Sequence, residues 1–325
     1  MDNNNNKVLL LGSLVGKQDE GIRNISAHLY NNLKNKYLIK IIKPTRLSHF
    51  IEIVKFKPNI IHSLRGPSFK TLFLLYFLGI IIRPTKIFCS LLHPSDSIGR
   101  SKILIRYFKS ITFFSQDEIL EKKLLKLGFN VYYIPNGVDF KKYNISIIKT
   151  LPDEIQKQIE PNKKYLLHIG HLKRSRGLDI VNKILQSTNW GVIIIISERF
   201  DYDKEIYSKL IKSGAIIYIG HVENLAGIYS FSDYYFFPVI DLRGCIDMPL
   251  TVLESSACGT PVITTSYKAL NRYRDSFDGI TFYDSTEELI QILNNVNKKN
   301  QQTYGFPEIY NWEMISNLIS EKYLE

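Results

Sequence analysis

Cysteine is scarce in this chain of 325 residues, and the three that occur, Cys89, Cys245 and Cys258, lie far apart. An odd number of isolated cysteines, with no Cys-x-x-Cys pair, argues against a disulfide framework and against a cysteine-bound metal site. The first residues also lack an apolar segment behind a basic start, so the sequence predicts no signal peptide. We therefore expect a cytoplasmic protein with reduced thiols.

Long hydrophobic runs are equally rare. The most apolar stretch, residues 71–82, is bounded by Lys70 and Arg83 and is shorter than the roughly 20 residues that span a bilayer. We predict that it forms a buried helix of the first sheet, with contact to a membrane interface as the alternative.

The common glycine-rich nucleotide loops are absent as well. No predicted strand is followed by Gly-x-Gly-x-x-Gly and an acidic residue at the usual distance, which disfavours an enzyme that binds a nicotinamide dinucleotide. Residues 12–17 do not form a Walker-type phosphate loop, because the spacing is one residue short and Gln18 stands where Ser or Thr is needed.

Charge is present but unevenly distributed within the total of +11. Residues 1–150 hold 24 Lys and Arg against 9 Asp and Glu, a net +15, whereas residues 151–325 hold 18 against 22, a net −4. This asymmetry predicts that the first half meets an anionic partner, and lysine enrichment of a solvated surface is the alternative. Because no nucleic-acid-binding signature accompanies the charge, we favour an anionic membrane surface and expect no nucleic acid.

Short apolar runs alternate with amphipathic segments along the whole chain, a pattern typical of parallel sheets covered by helices on both faces. The alternation runs through two comparable halves and predicts two doubly wound α/β domains, at residues 1–150 and 151–305, joined near residues 144–164. We expect a last helix, 306–325, to pack back towards the first domain. The predicted strands are residues 7–13, 38–43, 59–64, 86–93, 111–116, 131–135, 165–171, 192–197, 216–221, 234–239, 261–264 and 280–283.

Residues 248–264 carry a single carboxylate, Glu254, inside a helix of apolar and small residues. Pro249 suits the first turn of that helix and Gly259 its end. The N-terminus of such a helix can bind an anion, and Glu254 could then meet a pair of sugar hydroxyls beside it. The alternative is a solvated Glu that only stabilises the helix dipole.

A second segment, residues 165–179, reads as a strand, a glycine turn and three cations within four residues, Lys173, Arg174 and Arg176. Cations at the carboxyl end of a parallel strand are where a doubly wound sheet binds phosphate. An exposed basic loop is the alternative. Residues 133–139 form another strand end that closes with an Asn-Gly turn.

Together these segments resemble the GT-B glycosyltransferases, specifically family 4, the large family of retaining enzymes that use nucleotide sugars. The turn at residues 136–139, the loop at 170–177 and the segment 253–262 occur in the family's order and spacing, and looser matches lie at 219–221, 236–238 and 310–312. The resemblance implies two Rossmann-like domains that face each other across a cleft, with the donor site in the second and the acceptor site in the first. It also implies a retaining transfer of a sugar from a nucleotide sugar to a hydroxyl acceptor, with no cofactor and no metal.

The resemblance further implies roles for single residues. Glu254 would hold the ribose, and Arg176, with Lys173 or Arg174, would neutralise the departing diphosphate. The residues implied to bind the donor are Gly16, Gly170, Arg174, Pro249, Leu250, Thr251, Val252 and Glu254, and those implied to act in catalysis are His93, Lys173, Arg176 and Asp247.

Two positions depart from the family pattern. Ile246 stands where the family has an acidic residue, with Asp247 one place later, and His171 replaces the family's Arg after the glycine of the basic loop. A GT-B protein that binds a sugar nucleotide or a partner without transfer is therefore an alternative. For an active enzyme we expect a lipid-linked or surface-glycan precursor as acceptor, since the acceptor domain carries the positive charge.

Overall fold

The computed structural model describes residues 6–14, 21–64, 66, 68–92, 106–146, 148–198, 201–241, 245–274, 278–296 and 311–325. Within these ranges the chain forms two compact units. The first is drawn from residues 1–137, 246–248 and 309–325, and the second from residues 138–245 and 249–308. The division between them follows Gly137, and the last helix belongs to the first unit.

The first unit is built on a sheet of six parallel strands in the order β2-β1-β3-β4-β5-β6. Its strands are β1 (Lys7–Leu11), β2 (Leu38–Ile42), β3 (Ile60–Ser63), β4 (Lys86–Ser90), β5 (Ile111–Ser115) and β6 (Val131–Tyr133). Its helices are α1 (Gly21–Leu33), α2 (Leu47–Phe56), α3 (Phe69–Ile82), α4 (Glu118–Lys126) and the last helix of the chain, Trp312–Leu324. Strand–helix alternation of this kind gives a doubly wound sheet.

The second unit repeats this architecture with the strand order β12-β11-β10-β7-β8-β9, again all parallel. Its strands are β7 (Lys164–Ile169), β8 (Trp190–Ile196), β9 (Ile216–Ile219), β10 (Tyr234–Phe237), β11 (Val262–Thr264) and β12 (Ile280–Phe282). Its helices are α5 (Asp153–Gln156), α6 (Val181–Ser187), α7 (Lys204–Lys212), α8 (Leu225–Phe231), α9 (Leu250–Ala257) and α10 (Thr286–Asn295). The last helix of the chain, Trp312–Leu324, which belongs to the first unit, is α11.

The twelve predicted strands are all confirmed, and eleven of them end one to three residues before the predicted boundary. Residues 86–93, for example, were expected to be extended, whereas β4 ends at Ser90. The inner strands are apolar and buried on both faces, as β8 shows with all seven of its residues buried, whereas edge strands such as β2 are partly exposed. A continuous run of β-branched residues marks such a strand in sequence, but its last residues turn into loops at the carboxyl edge of the sheet.

Residues 71–82 lie in a helix that packs on the first sheet, as expected, but this helix is buried on one side only. Helix α3 buries one stripe, Leu72, Leu75 and Leu78, in the core against the sheet, while Phe77 and Ile81 on the outer face are 57% and 61% exposed. A helix on the face of a sheet covers the core with one side only. The outer side of α3 is apolar nonetheless, which is why the sequence pattern showed no periodicity.

The last helix, α11, packs on the first unit through buried polar and aromatic contacts. Trp312 stacks on His28 with ring centroids 4.8 Å apart. Near the other end of the helix, the Tyr323 hydroxyl lies 2.6 Å from Nδ1 of His62, whose Nε2 lies 2.8 Å from the Ser90 hydroxyl. Both nitrogens of this fully buried histidine on β3 are therefore hydrogen-bonded.

Candidate functional site

The second unit has its topological switch point between β7 and β10, because the connections from these adjacent strands run to opposite sides of the sheet. Doubly wound sheets bind their ligands in the crevice at the carboxyl ends of such strands. The basic loop follows β7, and its Gly177 has φ +68° and lies against the strand end after β10. A Cβ atom at Gly177 would come within 2.0 Å of the Pro238 carbonyl oxygen, so only glycine fits this approach.

The structure distinguishes the three cations of this loop. Arg176 is only 7% exposed, and within the described residues it forms no ion pair and no side-chain hydrogen bond. Arg174 is exposed and pairs with Glu205 (Nη2 to Oε2, 3.1 Å) and Asp203 on the outside of the unit. Lys173 is exposed. A buried guanidinium without a counter-ion is unfavourable, so Arg176 is a candidate residue for binding an anionic ligand.

Gly170 opens the space next to Arg176. A Cβ atom there would lie 3.2 Å from Nε2 of His168 and 3.7 Å from Nη1 of Arg176. The imidazole and the guanidinium therefore border one small space above the glycine, which any side chain at position 170 would fill.

Helix α9 begins beside this space. Tyr235 on β10 connects the two, because its hydroxyl lies 2.7 Å from Oγ1 of Thr251 in the first turn of α9 and 3.3 Å from the carbonyl oxygen of Ile169, just before Gly170. Pro249 caps the helix, and the N–H of Val252 already donates to its carbonyl oxygen. No described backbone oxygen accepts from the N–H groups of Leu250 and Thr251, the two unpaired donors of this helix start.

Glu254 faces the interior of the unit and is 7% exposed, so it is not a solvated side chain. The Tyr229 hydroxyl of α8 donates to its Oε2 at 3.2 Å, and Tyr143 also hydrogen-bonds the carboxyl. Burial raises the pKa of Glu254 to about 7, although Lys142 and the two tyrosines favour the charged form. A carboxyl held in this way can accept hydrogen bonds from a ligand with fixed geometry.

The structure therefore brings Gly170, Arg176 and the first turn of α9 together in the second unit, with Glu254 on the same helix. Asp247 belongs to the first unit, where its side chain is fully buried and its N–H donates to the Leu92 carbonyl oxygen at 2.9 Å. His93 and Gly16 lie outside the described residues. Sequence reasoning missed four residues around the site, His168, Tyr143, Tyr229 and Tyr235. The three tyrosines come from separate elements with no shared spacing, and His168 lies in an apolar strand.

No group of three or more His, Cys, Asp or Glu side chains placed to bind a metal occurs in the part of the chain that the structure describes. Across the same residues, no helix combines the length and the apolar character needed to cross a membrane.

Comparison with known proteins agrees with the fold. Residues 163–297 match the family model described as "Glycosyl transferases group 1". No curated protein sequence matches the chain. Solved structures do match over its length. They include HepE (Alr3699) of Anabaena, determined with UDP and glucose, at 13% identity over 98% of this chain and 99% of that one, TM-score 0.74.

Two further solved structures match over nearly the whole of both chains. The lipopolysaccharide outer core galactosyltransferase WaaB is 12% identical over 98% of this chain and 99% of that one, TM-score 0.64. The catalytic domain of starch synthase IV from Arabidopsis thaliana, bound to ADP and acarbose, is 14% identical over 98% of both chains, TM-score 0.66.

Two parallel six-stranded sheets with their helices thus give this chain the fold of the GT-B glycosyltransferases. Within that fold class, residues 163–297, which cover most of the second unit, are similar to the glycosyl transferases group 1 family model. The resemblance to GT-B enzymes is confirmed at the level of the fold.

Proposed function

We propose that the protein is a retaining glycosyltransferase that moves a sugar from a nucleoside diphosphate sugar to a hydroxyl acceptor without a metal ion. The observation that carries this proposal is the buried Arg176 at the switch point of the second unit, which has no ion pair among the described residues, beside N–H groups at the start of α9 that no described backbone oxygen accepts from. A cation and a helix N-terminus together bind a diphosphate. HepE was determined with UDP and starch synthase IV with ADP, so the proposal names the diphosphate and leaves the base open.

The chemistry follows from where charge develops. As the glycosidic bond to the nucleotide breaks, negative charge grows on the leaving diphosphate, and Arg176 stabilises it more in the transition state than in the ground state. In a retaining transfer the acceptor attacks from the face that the nucleotide leaves, and the leaving phosphate accepts the acceptor's proton. Glu254 holds the ribose hydroxyls, and Lys173 adds positive charge from the exposed side of the loop.

The direct test is a screen of UDP-, GDP- and ADP-sugars by thermal shift and donor hydrolysis. Wild type should be stabilised by one donor class, whereas Arg176→Ala should lose at least about tenfold in affinity, as expected when a charge-assisted contact worth about 1.5–3 kcal/mol is removed. Glu254→Ala should weaken binding as well. Arg174→Ala should change less because Glu205 already pairs with Arg174, and Lys212→Ala on α7 is the matched control.

Two outcomes would redirect this proposal. Equal responses of wild type and both site variants to every donor would show that the site is wrongly assigned. Donor binding without hydrolysis or transfer to any acceptor would favour the alternative, a degenerate GT-B protein, for which Ile246 and His171 are the sequence support.

We further propose that the acceptor is a lipid-linked or surface-glycan precursor and that the first unit lies on the cytoplasmic face of an anionic membrane. One of the structural matches, WaaB, is a galactosyltransferase of the lipopolysaccharide outer core, which supports an acceptor of this class. Helices α2 and α3 pack on the same core and carry exposed apolar residues on their outer sides: Leu47, Ile51, Val54, Phe73, Phe77, Ile80 and Ile81.

Charge on these two helices fits an anionic surface. Exposed Arg46, Lys55, Lys70 and Arg83 flank the apolar residues, whereas the acidic Glu52 is already paired with Lys40 at 2.8 Å. Apolar side chains that enter the headgroup region and cations that meet anionic lipids act together in interfacial binding.

Flotation with vesicles of anionic and of zwitterionic phospholipid tests the membrane proposal. Wild type should float with anionic vesicles and less so at high salt. The double variant Phe77→Ser, Ile81→Ser should float less, whereas Ile211→Ser, an exposed apolar site on α7, should not change. Flotation that is absent, or independent of lipid charge and of these variants, would refute the membrane proposal and leave the donor site unaffected.

A further inference from the structure

His168 lies where the two central strands of the second unit separate. β7 and β10 pair through Tyr234 with Leu166 and Tyr235 with Leu167, and His168 is the next residue along β7. Its side chain turns to β10, with Nδ1 3.0 Å from the Phe236 carbonyl oxygen. Because a carbonyl oxygen only accepts, Nδ1 carries the proton, and Nε2 is left as a bare lone pair in the neutral ring.

That lone pair has no partner. His168 is fully buried, and its Nε2 forms no hydrogen bond within the described residues. His62 of the first unit shows the ordinary arrangement of a buried histidine, with Tyr323 on Nδ1 and Ser90 on Nε2. Buried polar atoms are nearly always satisfied, so an orphan nitrogen in a ligand crevice indicates a missing ligand atom.

The orphan nitrogen borders the same space as Arg176, since one Cβ position on Gly170 would lie 3.2 Å from Nε2 and 3.7 Å from the guanidinium. The other titratable group that acts on the imidazole is His171 on the loop after β7. Burial first, and then Arg176 and His171, lower the pKa of His168 to about 4, while the hydrogen bond to Phe236 opposes them. Before an anion binds, the imidazole of His168 is therefore neutral, because burial and a positive neighbour both disfavour the charged form.

An anion bound at Arg176 would instead favour the charged form of the His168 imidazole. We propose that His168 is a proton-linked contact to the diphosphate: binding of the nucleotide draws one proton from solvent onto Nε2, which then donates to a phosphate oxygen. The charged ring keeps its Nδ1–H bond to Phe236, so both nitrogens become donors with partners. This inference rests on the proposed function, because it uses the same diphosphate site.

The experiment is calorimetry of UDP binding, and of ADP and GDP as further probes, in pairs of buffers that differ in ionisation enthalpy. Protons exchanged by the nucleotide and by Glu254 contribute equally in wild type and in His168→Gln, so they cancel when the proton uptake of the two proteins is compared. At about pH 6, wild type should take up on the order of one proton more than the variant, and its affinity advantage should grow by about threefold or more between pH 8 and pH 6. His221→Gln, at an exposed histidine of the same unit, should behave as wild type.

A second readout does not depend on the folding of the variant. In wild type with labelled histidines, one buried ring should change from the neutral Nδ1–H form to the doubly protonated form when UDP is added. Nucleotide binding with equal proton uptake in wild type and His168→Gln, or a ring that stays neutral in the complex, would overturn this inference alone and would leave His168 as a positioning residue for Arg176. Failure of wild type to bind UDP, ADP or GDP would overturn the proposed function as well.

Discussion

Single residues in the site differ from their sequence neighbours mainly in burial. Lys173, Arg174 and Arg176 look alike in sequence, yet only Arg176 is buried. A short helical turn over Arg174–Arg176 separates the inward side chain of Arg176 from that of Arg174, and Lys173 lies in extended backbone just before this turn. The sequence could place a cation cluster at a strand end from the glycines around it. It could not say which cation is buried, since that depends on how the loop packs against the strand end after β10.

Glu254 is expected to make stability depend on pH. Its pKa is raised to about 7 in the folded protein against 4.5 for the ordinary carboxyl, so the folded state keeps a proton that the unfolded chain has lost. The stabilisation from this proton is complete below about pH 4.5 and is lost as the pH rises through about 7, by about 2 kcal/mol between pH 5 and pH 7.

Denaturant unfolding of Glu254→Gln against wild type measures this effect. The variant lacks the titration, so its free energy of unfolding should rise relative to wild type by about 2 kcal/mol from pH 5 to pH 7. Glu205→Gln, at an exposed carboxyl already paired with Lys209, should run parallel to wild type over the same range. A parallel course for Glu254→Gln would mean that the carboxyl is ionised and well solvated.

At the scale of the element, strands were far easier to predict than the faces of helices. The core strands are runs of Ile, Val, Leu and Phe, so their position could be predicted from composition alone. Helix α3 is apolar on all sides, and its sequence could not show which side meets the sheet. The surroundings of Glu254 could not be predicted from sequence either, because Tyr143 and Tyr229 contact it from other parts of the chain.

The turn at Gly177 is expected to be the most sensitive part of the basic loop. Gly177 and Gly214 both have positive φ, +68° and +89°, but a Cβ at Gly177 would meet the Pro238 carbonyl at 2.0 Å, whereas one at Gly214 would meet nothing within 4 Å. Gly214→Ala should therefore cost about 1 kcal/mol from backbone strain alone, and Gly177→Ala about 3 kcal/mol or more.

Thermal and denaturant unfolding of the two variants separates these effects, and the matched backbone makes Gly214→Ala the control. Gly177→Ala should also weaken nucleotide binding, because a displaced loop carries Arg176 away from its position. Equal destabilisation by the two substitutions would indicate that β10 and the loop move apart without penalty.

At the scale of the whole molecule, the two halves were predictable as domains, but their exact membership was not. Residues 246–248 lie between segments of the second unit in sequence and yet belong to the first. A three-residue excursion of this kind has no sequence signature, because it depends on long-range contacts such as that between Asp247 and Leu92. The same lack of a local signal hid the membership of Asp247 in the first unit.

The contact between Tyr323 and His62 should couple the end of the chain to the sheet of the first unit. Tyr323→Phe leaves the buried Nδ1 of His62 without its partner, which costs about 1–3 kcal/mol. Hydrogen exchange should then speed up in β3, β4 and α11 but not in β7 and β8. Tyr132→Phe, at a partly exposed position of β6, is the control, and faster exchange throughout both units would contradict a local effect.

Helix α11 also sets an order of events during synthesis. All six strands of the first unit have been translated by residue 133, but the residues that cover His62 and stack on His28 are translated only after the whole second unit. During synthesis the first unit therefore lacks α11 for as long as the second unit is being translated. The second unit, though later in sequence, is therefore the first whose residues have all been translated. We expect chaperones to bind the nascent chain at the uncovered surface around His62.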